Sequence, residues 1–128
     1  MNSLALLIAR ILLVVLFVIT GLGFISTSDG IAQYFTILNL PAPEILVWLV
    51  VALKLGASVL ILIGLFTRWA ALAMAAFCIA APLIAHMNWE DANEFQQFLK
   101  DIAIAGGFLA LSVAGAGAIS VDAARGRA

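Results

Sequence analysis

The sequence predicts an all-α fold, a transmembrane four-helix bundle that occupies residues 1–128 as a single domain. Hydrophobic residues make up 66% of the chain and charged residues only 10%. Soluble domains carry roughly 45–50% apolar and about 25% charged residues, so this excess of apolar surface indicates a lipid environment. Four apolar segments have about the 17–25 residues that cross a bilayer: residues 4–23, 45–66, 69–85 and 102–119.

The first segment, residues 4–23, is mainly apolar and carries Arg10 as its one charged residue. A cleaved signal peptide is the alternative, but the stretch has no basic region before its apolar part and no A-x-A-like site after it. We therefore interpret it as a membrane span. Arg10 lies near the N-terminal end of this span, and we expect its side chain to reach the phosphates of the cytoplasmic leaflet. A functional role for Arg10 is the alternative.

The connector after the first span has a helical pattern of its own. Its apolar residues recur at i, i+3, i+4 and i+7: Ile31, Tyr34, Phe35 and Leu38. Ser28 or Asp29 is expected to cap this short helix. Pro41 and Pro43 are expected to end it and to start the second span. The pattern predicts a short helix in the membrane interface between spans one and two.

Only Thr67 and Arg68 separate spans two and three, which predicts a tight antiparallel pair. The third span is the shortest, and Pro82 near its end is tolerated because neighbouring helices can satisfy the freed carbonyl. The fourth helix is expected to begin before the hydrocarbon, near Asp91, because helical spacing of apolar residues leads into that span: Phe95, Phe98, Leu99 and Ile102.

The charged residues near the span ends predict the orientation of the chain. With four spans, the arginines fall on one side of the membrane: Arg10, Arg68, Arg125 and Arg127. The acidic residues fall on the opposite side: Asp29, Glu44, Glu90, Asp91 and Glu94. Because Lys and Arg are enriched in cytoplasmic loops, both termini are expected to lie in the cytoplasm.

Small residues predict the surfaces along which the helices pack. They recur at four-residue intervals in three of the spans: Ala52 and Gly56; Ala76 and Ala80; Gly106, Ala110, Ala114 and Ala118. Small residues at this spacing allow two helix backbones to approach closely, where dispersion holds them together. We therefore expect these faces to form the contacts of a compact bundle.

Ionisable residues within the spans predict a polar pocket. A Lys or Asp at mid-span costs about 2.5–3.5 kcal/mol, so it needs a partner or a task. Lys54 lies near the middle of span two, and we expect it to face the bundle interior with Asp101 as its partner. Asp101 shares a helical stripe with Glu94 and Gln97. His86, at the end of span three, is expected to join this group on the outer half of the bundle.

Structural roles are the alternative for the same residues. Lys54 and Asp101 can form an ion pair that only fixes the helix register. His86 can cap its span at the interface, and Glu94 can be a solvated surface charge. His86 and the carboxylates lack the spacing of a metal site, so no metal is predicted. Cys78 is the one cysteine and cannot form an internal disulfide.

Two classes of function receive no support from the sequence. A net charge of −1 provides no basic field to attract nucleic acid. The chain has no Gly-rich phosphate loop, nucleophile elbow or paired catalytic carboxylates. The catalytic residues, if the chain has any, are therefore unknown from motifs, and no cofactor is evident from them.

Several short segments together carry a family resemblance over nearly the whole chain. They are residues 9–13, 20–23, 40–43, 62–71, 97–101, 106–107 and 120–122. In their order and spacing they resemble the DoxX family of small four-span bacterial membrane proteins. This chain has Phe24 where the family often has a lysine, and Lys54 where it often has a glutamate. The role of that glutamate is therefore not transferred to this chain.

The resemblance implies a multi-pass protein of the bacterial cytoplasmic membrane. Some members of the family are associated with quinone-linked sulfur oxidation or with oxidative-stress complexes. Three hypotheses follow. The chain is a membrane-embedded partner or subunit without catalysis of its own, acting with another protein or as a homo-oligomer. Alternatively, it is a quinone-linked redox subunit, or a small transporter or lipid-binding protein.

Overall fold

A computed structural model describes residues 2–85 and 90–126 of the chain. All regular structure within these ranges is helical: α1 (Asn2–Ser26), α2 (Ser28–Ile37), α3 (Pro43–Ile63), α4 (Thr67–Ala85), α5 (Ala92–Ala114) and α6 (Val121–Ala124). In this part of the chain, α1, α3, α4 and α5 are long and apolar enough to cross a membrane. The prediction of an all-α protein with four spans is therefore confirmed, and so is the short helix between spans one and two.

The four long helices pack around one apolar core. The most extensive contacts join α4 to α5 and α1 to α3. At the centre, the ring of Phe17 from α1 lies 5.7 Å from the ring of Phe108 on α5 and 6.5 Å from that of Phe77 on α4. Tilted and edge-on aromatic pairs at such distances are favourable beyond their buried area, so this cluster ties three helices together.

Helix α2 follows α1 almost without interruption. Thr27 is the single residue between them, and its backbone carbonyl accepts a hydrogen bond from the amide of Ile31. No side chain caps the start of α2, so the predicted cap by Ser28 or Asp29 is wrong. The amide of Thr27 donates a hydrogen bond to the carbonyl of Gly23, so backbone hydrogen bonding continues from α1 into α2. After α2 the chain turns through two left-handed residues, Asn39 and Ala42.

The turn between α3 and α4 comes earlier than predicted. Helix α3 ends at Ile63 because Gly64 adopts a left-handed conformation, with φ of 74°. The amide of Leu65 then donates to the carbonyl of Leu60 at 2.8 Å, the hydrogen bond of a Schellman motif. Span two therefore does not reach Phe66 as predicted, and α4 begins at Thr67.

Helix α5 begins where predicted but ends early. The side chain of Asp91 accepts a hydrogen bond from the amide of Asn93 at 2.9 Å and caps the helix start. At the other end, Gly115 and Gly117 have φ of 79° and 84°. Positive φ takes both residues out of the helical conformation, so residues 115–119 are not part of span four as predicted.

The predicted packing faces are wrong in their phase. The small residues that were expected between helices are instead on the outside: Ala52, Gly56, Ala76, Ala80, Gly106, Ala110 and Ala114. In α4, the buried small apolar residues include Ala70, Ala71, Ala75 and Cys78. Alanine is so common in these spans that a four-residue repeat exists on more than one face, and the spacing alone did not distinguish them.

Gly64→Ala is expected to destabilise the protein by about 2 kcal/mol or more. A left-handed conformation costs a residue with a side chain about 1–2 kcal/mol, and the added Cβ would lie 2.3 Å from the Cβ of Ser120. Gly56→Ala is the control, because no heavy atom lies within 4 Å of its added Cβ. Thermal unfolding in detergent measures both, and equal stability of the two variants would contradict this account of the turn.

Candidate functional site

A cavity of about 590 Å³ lies between α1, α2, α3, α4 and α5. This size falls within the roughly 300–1,000 Å³ of small-molecule sites. The lining is mainly apolar and aromatic: Leu16, Phe17, Thr20, Phe24, Ile31, Tyr34, Phe35, Leu38, Leu40, Leu46, Val50, Lys54, Phe77, Cys78, Ala80, Ala81, Ile84, Gln97 and Asp101.

The four apolar residues that predicted α2 as a helix all line this cavity: Ile31, Tyr34, Phe35 and Leu38. This face covers the cavity, and α2 packs mainly against α3. None of the α2 residues is fully buried. Helix α2 is therefore the cover of this space and not part of the core.

Lys54 brings a charge into the cavity. It lies on α3 and is only 7% exposed. Its Nζ donates a hydrogen bond to Oγ1 of Thr20 at 3.2 Å. The same ammonium lies 3.8 Å from the ring centroid of Phe24 and 5.9 Å from that of Phe77. Aromatic faces attract a cation, so α1 and α4 both contribute to the surroundings of this lysine.

Asp101 and Gln97 contribute the polar groups on the opposite side of the cavity. They lie one turn apart on α5, and both line the space into which Lys54 projects. The charge of Asp101 acts electrostatically on Lys54. Lys54 also donates the hydrogen bond to Thr20 described above.

Of the remaining members of the predicted pocket, only Glu94 is among the described residues. Glu94 lies in the first turn of α5, one turn before Gln97 and outside the cavity lining. Burial and, to a smaller extent, the charge of Glu94 raise the pKa of the Tyr34 phenol above its usual value. The charge of Glu94 therefore acts on Tyr34, a residue of the cavity lining. His86 lies outside the described residues.

The residues on α1 were missed by sequence reasoning. Thr20 and Phe24 contact the lysine, and Phe17 lines the cavity below them. They carry no charge, so the cost of burying a charge in lipid did not single them out. Their i, i+3 and i+7 spacing is the signal that would have placed them on one face.

Part of the cavity lining belongs to the apolar exterior of the bundle. Two lining residues, Leu16 on α1 and Ile84 on α4, are 45% and 50% exposed. Both belong to spans whose exposed surface is apolar, so the cavity has an apolar, partly exposed edge at these residues.

A second polar cluster closes the end of the bundle where α3 meets α4. Arg10 was expected to reach lipid phosphates, and this is wrong, because its side chain is only 1% exposed. Its guanidinium donates to the carbonyls of Ala116 at 2.7 Å, Ile119 at 2.8 Å and Leu62 at 3.0 Å. The unwound segment after α5 leaves carbonyls without helical donors, and Arg10 satisfies them.

Arg68, in the first turn of α4, bonds to the end of α5 just before this segment. Its Nη1 donates to the carbonyls of Ser112 and Val113 in the last turn of α5. A cation at the C-terminus of a helix also compensates its dipole. Gly115 leaves room for this contact, because a Cβ there would lie 3.0 Å from Nη2 of Arg68.

Asp122 completes this cluster. Its carboxylate accepts hydrogen bonds from the amides of Phe66 at 2.8 Å and Thr67 at 2.9 Å, at the N-terminus of α4. Burial alone would raise the pKa of this carboxyl, but the bonds from Thr67 and Phe66 outweigh it and lower the pKa below 3.8. We call Arg10, Arg68 and Asp122, with residues 115–122, the C-terminal clasp.

The two clusters differ in what they can do chemically. The polar groups of the clasp bond mainly to backbone, which indicates a structural role. The cavity combines a volume of about 590 Å³, a buried ammonium and an apolar, partly exposed edge, so it is the candidate binding site. Among the described residues, no three His, Cys, Asp or Glu side chains lie together as metal ligands would.

The fold and the cavity define a multi-pass α-helical membrane protein with an internal cavity. The chain belongs to the DoxX family, whose model matches residues 5–87. It is similar to inner membrane protein YqjF of Escherichia coli (strain K12), with 34% identity over 95% of this chain and 92% of that protein. Inner membrane protein YphA of the same organism is 35% identical over 91% of this chain and 87% of its own length.

No solved structure matches the chain. The similarity to inner membrane proteins agrees with the four apolar helices of the described structure. The prediction that the chain is a multi-pass protein of the bacterial inner membrane is therefore confirmed. The names of these relatives indicate no ligand and no reaction.

Arg10→Lys is expected to destabilise the bundle by about 1–3 kcal/mol. A single ammonium on a shorter side chain cannot reach the three carbonyls that the guanidinium satisfies, and a buried acceptor left unpaired costs this much. Thermal unfolding in detergent measures the loss. Arg125→Lys, at an exposed position, is the control, and an equally small effect of both changes would argue against the clasp.

Asp122→Asn is expected to lower stability by about 1.5–3 kcal/mol near neutral pH, since it weakens charge-assisted hydrogen bonds to two amides. The folded pKa lies below the usual 3.8. The contribution of the carboxylate is thus complete above that value and is lost as pH falls through the folded pKa. The stability difference from wild type should shrink only below about pH 4. A difference that grows on acidification would contradict the assignment.

Proposed function

We propose that this protein is a membrane-embedded binding subunit that holds one lipid-soluble ligand in the cavity between α1 and α5. The ligand has an apolar body and a polar head group, and its head group accepts a hydrogen bond from Lys54. The observation that carries this proposal is a buried ammonium in a mainly apolar cavity of about 590 Å³.

The position of Lys54 supports binding more than a purely structural role. The ammonium lies in the cavity lining, where it donates a hydrogen bond to the hydroxyl of Thr20 and lies over the face of Phe24. It has three donor hydrogens. The proposal assigns one of them to a ligand atom in the cavity.

An isoprenoid quinone is the ligand class that fits this lining best. Its ring carbonyls are hydrogen-bond acceptors, and its flat head group suits the aromatic walls that Phe24, Phe35 and Phe77 provide. In this proposal its isoprenoid chain passes the exposed edge of the cavity at Leu16 and Ile84 and enters the hydrocarbon. A phospholipid or fatty acid is the competing occupant.

The proposal assigns no catalysis to this chain alone. A redox reaction of a bound quinone requires a source of electrons, and the described residues offer neither a pair of haem-ligating histidines nor a pair of cysteines. A partner protein in the membrane would supply them. The chain then acts as the subunit that binds and positions the ligand.

We further propose that both termini face the cytoplasm. Arg68 and Arg125 lie at the clasp end of the bundle, whereas Asp29, Glu44 and Glu94 lie towards the α2 end, as the helix order dictates. The bias of arginine towards cytoplasmic ends supports this orientation. Arg10 is not used as evidence for the orientation, because its side chain is buried in the clasp. The cavity then lies in the outer half of the membrane.

Mass spectrometry of organic extracts from the gently purified protein tests the binding function. About one quinone per chain is expected in wild type and much less in Lys54→Met, because the head group loses its hydrogen-bond donor. Lys100→Met is the matched control, since Lys100 is exposed on α5. Its quinone content should equal that of wild type.

Two outcomes of this experiment would overturn the proposal. Bulk phospholipid alone in all three extracts would leave Lys54 as a structural charge and favour a partner subunit without a ligand. Equal quinone in Lys54→Met and wild type would mean that the lysine does not hold the head group.

A further inference from the structure

We propose that Asp101 determines the ligand class of the cavity by selecting a neutral, carbonyl-bearing head group over an anionic one. This inference rests on the proposed binding function and deepens it. The underlying observation is that Lys54 and Asp101, on α3 and α5, line one cavity and carry opposite charges.

The charges of the cavity lining balance. Among the described lining residues, Lys54 is the one cation and Asp101 the one carboxylate. The other polar groups there are formally neutral, such as the Thr20 hydroxyl and the Gln97 amide. An empty or lipid-filled cavity therefore has no net charge for a ligand to neutralise.

An anionic head group would disturb this balance. It would be attracted by Lys54 and repelled by Asp101 in a space where charges are poorly screened, since the walls are mainly apolar. A buried charge without a counter-charge is costly. A fatty acid or a phosphate head group therefore gains little from Lys54 while Asp101 is ionised nearby.

A neutral carbonyl avoids this cost. It accepts a hydrogen bond from the ammonium and leaves the charges of Lys54 and Asp101 balanced. Without Asp101, the lysine would be an uncompensated cation in an apolar cavity, which is the environment that recruits a carboxylate. Asp101→Asn is thus expected to convert the site into one that takes a fatty acid.

The probes are decylbenzoquinone as the neutral ligand and dodecanoate as the anionic one. Each is titrated against the full chain in detergent, and native mass spectrometry counts the bound molecules. Wild type should bind decylbenzoquinone and take up dodecanoate at least about tenfold less tightly. Asp101→Asn should strengthen dodecanoate binding by about tenfold or more while decylbenzoquinone still binds.

Two further variants separate selectivity from folding. Asp101→Glu keeps the charge and should keep the wild-type preference. Asp29→Asn removes an exposed acid outside the cavity lining and should change neither affinity. Dodecanoate binding that is equally tight in wild type and Asp101→Asn, or that rises equally in Asp29→Asn, would overturn the role of Asp101. Loss of preference in Asp101→Glu would do the same.

Failure of this inference differs from failure of the proposed function. If Lys54→Met abolishes decylbenzoquinone binding but Asp101→Asn leaves dodecanoate binding unchanged, the site stands and Asp101 does not set its selectivity. If decylbenzoquinone binds wild type and Lys54→Met equally, the proposed function fails first, and the selectivity argument fails with it.

Discussion

The hydrogen bonds of Arg10 are the constraint on which the rest of this structure depends. One buried guanidinium joins α1 to the end of α3 and to the segment that follows α5. In a membrane, backbone that leaves the helix must be satisfied within the protein. Arg10 and Arg68 donate hydrogen bonds to the backbone carbonyls at the end of α5 and after it. The chain can therefore leave the helix after Ala114 and pack against this end of the bundle. That end is thereby closed, and the internal space remains at the end covered by α2.

The geometry at the level of Lys54 follows from close contact between α1 and α3. A Cβ added to Gly21 would lie 2.9 Å from Leu55 and 3.3 Å from the Cβ of Lys54. The small residue lets the helices approach, and this brings Thr20 within hydrogen-bond distance of the lysine. The environment of the ammonium is therefore set by helix packing, and the cavity beside it is what α2, α4 and α5 leave open.

The four spans could be predicted because the bilayer demands long apolar helices, and the cost of a charge in lipid correctly drew attention to Lys54. The helix ends could not be predicted. Gly64, Gly115 and Gly117 end helices by adopting positive φ, but a glycine within an apolar run can equally lie inside a helix. Arg10 was misplaced because a basic residue near a span end usually lies at the interface. Thr20 and Phe24 were missed because uncharged residues carry no comparable penalty.

The exposed edge of the cavity at Leu16 and Ile84 bears on how the proposed ligand would be selected. In a pocket that opens to hydrocarbon, acyl chains of the surrounding lipid compete with the ligand. Ligand uptake is then an exchange of one apolar chain for another, and such an exchange releases little hydrophobic free energy because lipid tails are as apolar as the walls. The tail of a ligand thus contributes almost nothing to discrimination. Preference for one membrane molecule over its abundant neighbours must come from a few polar atoms near Lys54.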